Sequence, residues 1–179
     1  MKKGTVPLLI ISAIVLCLII VVVKSYRSLS TLNEEVINKE SDINVQLSRK
    51  KEQITNLINN CKDYIKEDTL LKEIEELNNS LIKNNIFDKS NINKELSIKI
   101  NKLFEEKKDE LLKNDNISII INEILSTEKR IDTAKNNYNQ AVNDYNNKIN
   151  SFPSSIIASI RGFKEKELFE LKEEIKSIN

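Results

Sequence analysis

Glu128 stands where an apolar side chain is due. It interrupts the row Ile117, Ile121, Ile124, Ile131, spaced three and four apart, with Arg130 and Lys135 nearby in the chain. A carboxylate in that place has two readings. Paired with Arg49 or another cation between helices, it fixes their register. In a splayed, solvated layer it is an ordinary surface charge. Acid–base catalysis would need a second group and a pocket, and neither is legible. The chain contains no histidine. Gly-rich phosphate loops, Cys-x-x-Cys pairs, Gly-x-Ser-x-Gly elbows and metal-spaced carboxylates are missing as well. We therefore expect no enzyme, no cofactor and no metal. Gln46 and Arg49 read as hydrogen-bonding groups between helices.

A second set of residues lies further along. Tyr138, Tyr145 and Phe152 recur every seven positions, and Asn139, Asn146 and Pro153 follow them directly. Residues seven apart drift only about 20° on an ideal helix, so the three aromatics line one seam and are expected to fill a core. The asparagines fall about 100° round the helix from them, where an amide can bond a neighbouring helix. Pro153 ends the series, since its ring and missing N–H oppose a continuing helix and disfavour helical geometry at Phe152.

These residues need long helices to hold them, and the composition provides for that. The 179 residues include only two glycines and two prolines, with aromatics at 5%. Lys, Glu, Leu and Ile dominate, which favours amphipathic helices over packed sheets. The chain is expected to be all-α. Its net charge is +1, and without Lys2, Lys3 and Lys24 the remaining 25 basic groups face 27 acidic ones. No basic face is offered to a nucleic acid. The cysteines, Cys17 and Cys61, cannot form a framework. Cys17 lies in an apolar run and Cys61 is expected as a small core residue.

That run, "VPLLIISAIVLCLIIVVV" at residues 6–23, carries no charge and is flanked by Lys2/Lys3 and Lys24/Arg27. As a helix rising about 1.5 Å per residue it covers most of a ~30 Å hydrocarbon core. It exceeds a usual signal-peptide core, and a lysine stands where a small-residue cleavage site would follow, so an uncleaved single-pass anchor at the cell membrane is expected. Leu16 before Cys17 argues against a lipoprotein. The flanking charges nearly balance and select no orientation.

Residues 1–24 are thus read as the anchor and 25–179 as one helical domain. The stripe Tyr26, Leu29, Leu32, Val36, Ile43, Leu47, Ile54, Leu57, Cys61, Tyr64 continues from the anchor to about residue 66. A second stripe (Leu70, Ile74, Leu77, Leu81) follows a cap within 67–69. A connection at 83–91, capped by Ser90 or Asn91, leads to a third stripe (Ile92, Leu96, Ile100, Leu103, Phe104, Leu111). The fourth stripe, capped by Asp115 or Asn116, runs Ile117, Ile121, Ile124, Glu128, Ile131, Lys135, Tyr138, Val142, Tyr145, Ile149, Phe152. Four such helices predict a long up-and-down antiparallel four-helix bundle behind the transmembrane helix. After Pro153, two short amphipathic pieces are expected, Ile156–Phe163 and Leu168–Ile175, with Gly162 as the stop between them. Either they fold back to cap the bundle or the first lies in the membrane interface.

In their order and spacing these motifs resemble the LemA family of bacterial membrane-anchored helical proteins. "SDINVQLSRK" at 41–50, holding Gln46 and Arg49, is similar to its Ser-x-Ile-Asp-Val-Gln-Leu-x-Arg-Arg signature. "ITNLI" at 54–58, holding Asn56, resembles its Ile-Pro-Asn-Leu-Val. "TEKRI" at 127–131, with Glu128 and Arg130, and the Tyr-Asn, Tyr-Asn, Phe-Pro series match its fourth-helix pattern. Ala158 and Gly162-Phe163 complete the likeness. The chain departs at Glu40 (tryptophan in the family), Asn44 (aspartate), Thr55 (proline), Asp63 (glycine) and Glu67 (histidine). The resemblance implies a four-helix bundle on one N-terminal transmembrane helix, with no known catalytic activity. The function expected is a non-enzymatic interaction or scaffold module at the cell envelope, with a protein partner or self-association. The alternative is a membrane-tethered sensory module holding a small polar ligand beneath Tyr138 and Tyr145.

Overall fold

The computed structural model describes residues 5–65 and 68–169, apart from the side chains of residues 5–7. Among the described residues there are five helices and no strand: α1 (Thr5–Lys62), α2 (Thr69–Ser80), α3 (Ile86–Leu111), α4 (Asp115–Asn150) and α5 (Ser154–Arg161). The all-α expectation holds. Helix α1 passes from the apolar residues into the polar ones without a stop, as their shared freedom from glycine and mid-helix proline allows. It ends four residues before the expected boundary, where the N–H groups of Tyr64 and Ile65 both turn back to the Cys61 carbonyl, at 3.0 and 2.8 Å.

Caps explain the other starts. Asp68 accepts from the N–H groups of Leu70 and Leu71 at 2.8 and 3.1 Å and opens α2, as a short side-chain oxygen at that position should. The α3 cap is Asn85, which accepts from Asp88 N–H at 2.9 Å, so the connection ends well before Ser90 and Asn91. Both lie inside the helix, and Ser90 is buried. Likewise Asn114, rather than Asp115 or Asn116, holds the start of α4 by accepting from Asn116 N–H at 3.0 Å. Gly162 closes α5 in the left-handed region at φ 74°, donating its N–H to the Ala158 carbonyl, the stop expected of it.

The chain divides into two compact units, Met1–Ile37 with Gln140–Lys166, and Asn38–Asn139 with Glu167–Asn179. Leu29, Val36, Ala141, Val142, Tyr145 and Ala158 are buried in the first. In the second, Ile43, Leu47, Ile54 and Leu57 of α1 are buried together with Ile74 of α2, Leu96 and Ile100 of α3, and Ile124 and Ile131 of α4. Helix α2 is tied to α1 by Asn78, whose amide donates to the Lys51 carbonyl and to the Thr55 hydroxyl, both at 3.0 Å.

Several expectations need correction. Tyr26 and Tyr64, at the two ends of the first stripe, are each 41% exposed. Phe152 is 82% exposed rather than core, because α4 stops at Asn150 and the turn before Pro153 swings its ring out of the seam. Lys135 is half-buried and pairs with Asp132 at 3.1 Å, while Ala134 takes the buried place. The second amphipathic piece is also not helical where it is described. Residues 163–169 form no helix or strand, and Leu171, Ile175 and Glu67 lie outside the described residues.

Candidate functional site

Two sets of polar contacts stand out among the described residues. The first surrounds Lys50, whose side chain is fully buried. Its ammonium donates to Asn93 Oδ1 at 2.6 Å, to Ser97 Oγ at 3.1 Å and to Glu128 Oε1 in a very short contact. Ser97 donates in turn to Glu128 Oε1 at 2.8 Å. One cation of α1 therefore links two polar residues of α3 to the carboxylate of α4. Burial pushes the Lys50 ammonium below its ordinary value, and the Glu128 carboxylate offsets part of that push.

Glu128 thus does pair with a cation from another helix, and that cation is Lys50 rather than Arg49. Arg49 is exposed, and so are Arg130 and Asn56. One position on a helix is about 100° of rotation, enough to move a cation from solvent to core. The signal existed in the sequence. Ile43, Leu47, Lys50, Ile54 and Leu57 step four, three, four, three, so Lys50 occupies a seam position just as Glu128 does on α4. Gln46, one turn before Lys50, is half-buried, and its Oε1 has no partner among the described residues; neither has Asn93 Nδ2.

The second set involves the non-helical segment 163–169. Asn139 donates its side-chain amide to the Phe169 carbonyl at 2.9 Å and accepts the Phe169 N–H at 2.8 Å. In the first unit Asn146 repeats the pattern on Lys166, both bonds at 2.9 Å. Each amide offers one donor and one acceptor in the plane a peptide group would present. It therefore satisfies one residue of extended backbone as a neighbouring strand would. The expectation that these asparagines bond a neighbouring helix fails for that reason: their partners are main-chain groups of a non-helical strap.

Tyr138 and Tyr145 are buried, as expected. The Tyr138 hydroxyl donates to the Glu167 carbonyl at 2.8 Å. Burial first, then the carboxylates of Glu40 and Glu167, push it up to about 12. Burial also raises Tyr145. Cys61 is buried with a thiol pushed up to about 12 by desolvation, which makes it a packing residue. An open depression of about 400 Å³ lies between α2 and α3, lined by Glu73, Glu76, Leu77, Ser80, Glu95 and Lys99. It includes none of the candidate site residues named from the sequence. Lys99 bonds Glu73 across it at 2.8 Å.

Chemically, the arrangement fastens helices and strap to one another. Its charged and amide groups bond the chain itself. Comparison with known proteins agrees with the sequence motifs: the model of the LemA family matches residues 39–178, most of the chain. No curated protein matches it.

Proposed function

The chain belongs to the LemA family, and from that premise we propose that it is a non-enzymatic, membrane-anchored helical module of the cell envelope. Residues 6–23 cross the bilayer. The other long helices form an up-and-down antiparallel bundle whose outer faces dock a protein partner or a second copy of the chain.

The observation that carries this reading is where the polar residues point. Lys50 and Glu128 bond each other, while Tyr138, Asn139 and Asn146 bond backbone of the same chain. Groups satisfied internally shape a scaffold and leave recognition to its surface. The anchor is supported by length and composition and by the exposure of every described side chain from Leu8 to Val23. A soluble core helix would bury such a run, and a lipid phase covers it instead.

Outward-facing apolar residues such as Val45 and Ile119 are the places to test docking. A photo-crosslinker at either site, in the full chain in its native membrane, should give one discrete adduct, with a copy of the chain or with another protein. If both sites give none and the chain behaves as a monomer, the docking role is refuted.

One observation favours a second reading, a small polar ligand, at a place other than the layer beneath the tyrosines. Gln46 Oε1, one turn before Lys50 on α1, and Asn93 Nδ2, whose Oδ1 accepts from Lys50, are buried without partners among the described residues. A ligand retained there would appear as excess mass in native mass spectrometry and be lost in Gln46→Leu.

A further inference from the structure

Helix α5 buries one face and leaves an apolar one open. Ser154 and Ala158, one turn apart, are buried within the first unit. Two residues on, about 200° round the helix, Ile156 is 52% and Ile160 75% exposed. Phe152, in the turn just before, adds a third large apolar group at the same four-residue spacing. A cluster of this kind on an eight-residue helix marks a surface that something covers.

The same unit indicates what covers it. The Phe163 ring meets the Tyr26 ring edge to face, centroids 6.2 Å apart at 60°, and the Arg161 guanidinium lies 5.3 Å from the Tyr26 centroid. Tyr26 stands three residues after Val23, the last of the apolar run, about 4.5 Å further along α1. The polar layer on each side of a bilayer is roughly 5–7 Å deep. With residues 6–23 in hydrocarbon, Tyr26 and the end of α5 held against it therefore lie at headgroup depth. Lys24, Arg27, Arg161 and Lys164 cluster around that level in the chain, the basic and aromatic mix that suits a headgroup region.

We infer that α5 is a monotopic interfacial helix. Phe152, Ile156 and Ile160 enter the headgroup–acyl boundary of the leaflet from which α1 emerges, while Arg161 and Tyr26 stay among the headgroups. This rests on the anchor reading above. It gives the protein a second lipid contact, which fixes the base of the bundle against the bilayer where a single helix would let it tilt freely.

The chain has no tryptophan, so single replacements report depth without background. Val15→Trp, Val45→Trp, Phe152→Trp and Ile160→Trp all change exposed side chains and are made in the full chain, reconstituted in phosphatidylcholine–phosphatidylglycerol vesicles carrying brominated acyl chains. Val15→Trp should be quenched by bromine deep in the chains. Val45→Trp, about 33 Å of helix rise beyond Val23, should be quenched only by aqueous acrylamide. Phe152→Trp and Ile160→Trp should lose several-fold more emission to shallow bromine than Val45→Trp, with a blue-shifted maximum. If Val15→Trp is quenched while the α5 probes behave like Val45→Trp, the anchor stands and the interfacial helix is refuted. Blue-shifted α5 probes that bromine fails to quench would assign the face to a protein and also overturn it. An unquenched Val15→Trp would refute the anchor, and this inference with it.

Discussion

Replacing Lys50 with methionine tests the link among α1, α3 and α4 most sharply. Methionine refills the stem of the side chain, so the loss is confined to the ammonium. Glu128, whose side chain is 10% exposed, keeps only the Ser97 hydroxyl at 2.8 Å, and Asn93 Oδ1 loses its donor. Removing one partner of a buried pair costs about 3–5 kcal/mol, a large share of the ~5–15 kcal/mol that holds a domain. The double variant Lys50→Met/Glu128→Leu removes both charges. Ser97 still donates to the Asn93 carbonyl at 3.1 Å, so the main residue of damage is the unpaired Asn93 oxygen, about 1–3 kcal/mol. The double variant should therefore be more stable than Lys50→Met alone. Glu128→Leu carries its own pH signature. The folded value of Lys50 lies below the ordinary 10.5, so between the two the unfolded chain binds more protons and stability rises with pH. Deleting the carboxylate that favours the ammonium widens that window downward. The penalty of Glu128→Leu relative to wild type should then shrink as pH rises toward 10.5. Urea unfolding followed by circular dichroism at 222 nm measures each quantity in detergent-solubilised full chain. Additive single losses below about 1 kcal/mol would refute the reasoning.

Asn139→Ala should free the strap: two bonds to Phe169 are lost, at about 1–3 kcal/mol locally, and trypsin should cut after Lys164 or Lys166 much earlier than in wild type. Alkali should unfold the protein from within. Cys61 rises from 9.0 and Tyr138 from 10.0, each to about 12, so both contributions are complete below the unfolded values and are lost as pH climbs through 12. By the usual conversion they amount to roughly 4 and 3 kcal/mol. The part of the 295 nm ionisation signal that disappears in Tyr138→Phe should consequently coincide with loss of helix. Gly162→Ala should cost only about 1 kcal/mol by thermal melting, since φ is 74° and an added Cβ meets nothing within 4 Å, leaving backbone strain alone.

How far the sequence discloses this molecule depends on which interaction decides each residue. Tyr138, Val142, Tyr145 and Ile149 were legible because helical periodicity and burial point the same way there. Gly162 was legible because the left-handed stop suits few other residues. Lys50 was masked by its neighbour Arg49, since either charge can be imagined inside until the step from Leu47 to Ile54 is seen to pass through Lys50. Leu168 and Phe169 were misread as helical because they share helical spacing with Leu171 and Ile175. The strap they belong to is held by tertiary pairing with Asn139 and Asn146, residues far earlier in the chain. Periodicity within one segment carries no record of such a partner.

The central claim is that the polar residues of this chain fasten it to itself while its apolar stem lies in lipid. Amide hydrogen exchange of the full chain in lipid nanodiscs reads both parts together. The account predicts strong protection across residues 8–23 and at the N–H groups of Lys166 and Phe169, with their neighbours in the strap exchanging faster. Rapid exchange at Lys166 and Phe169, or a stem that exchanges as freely as exposed helix, would contradict it.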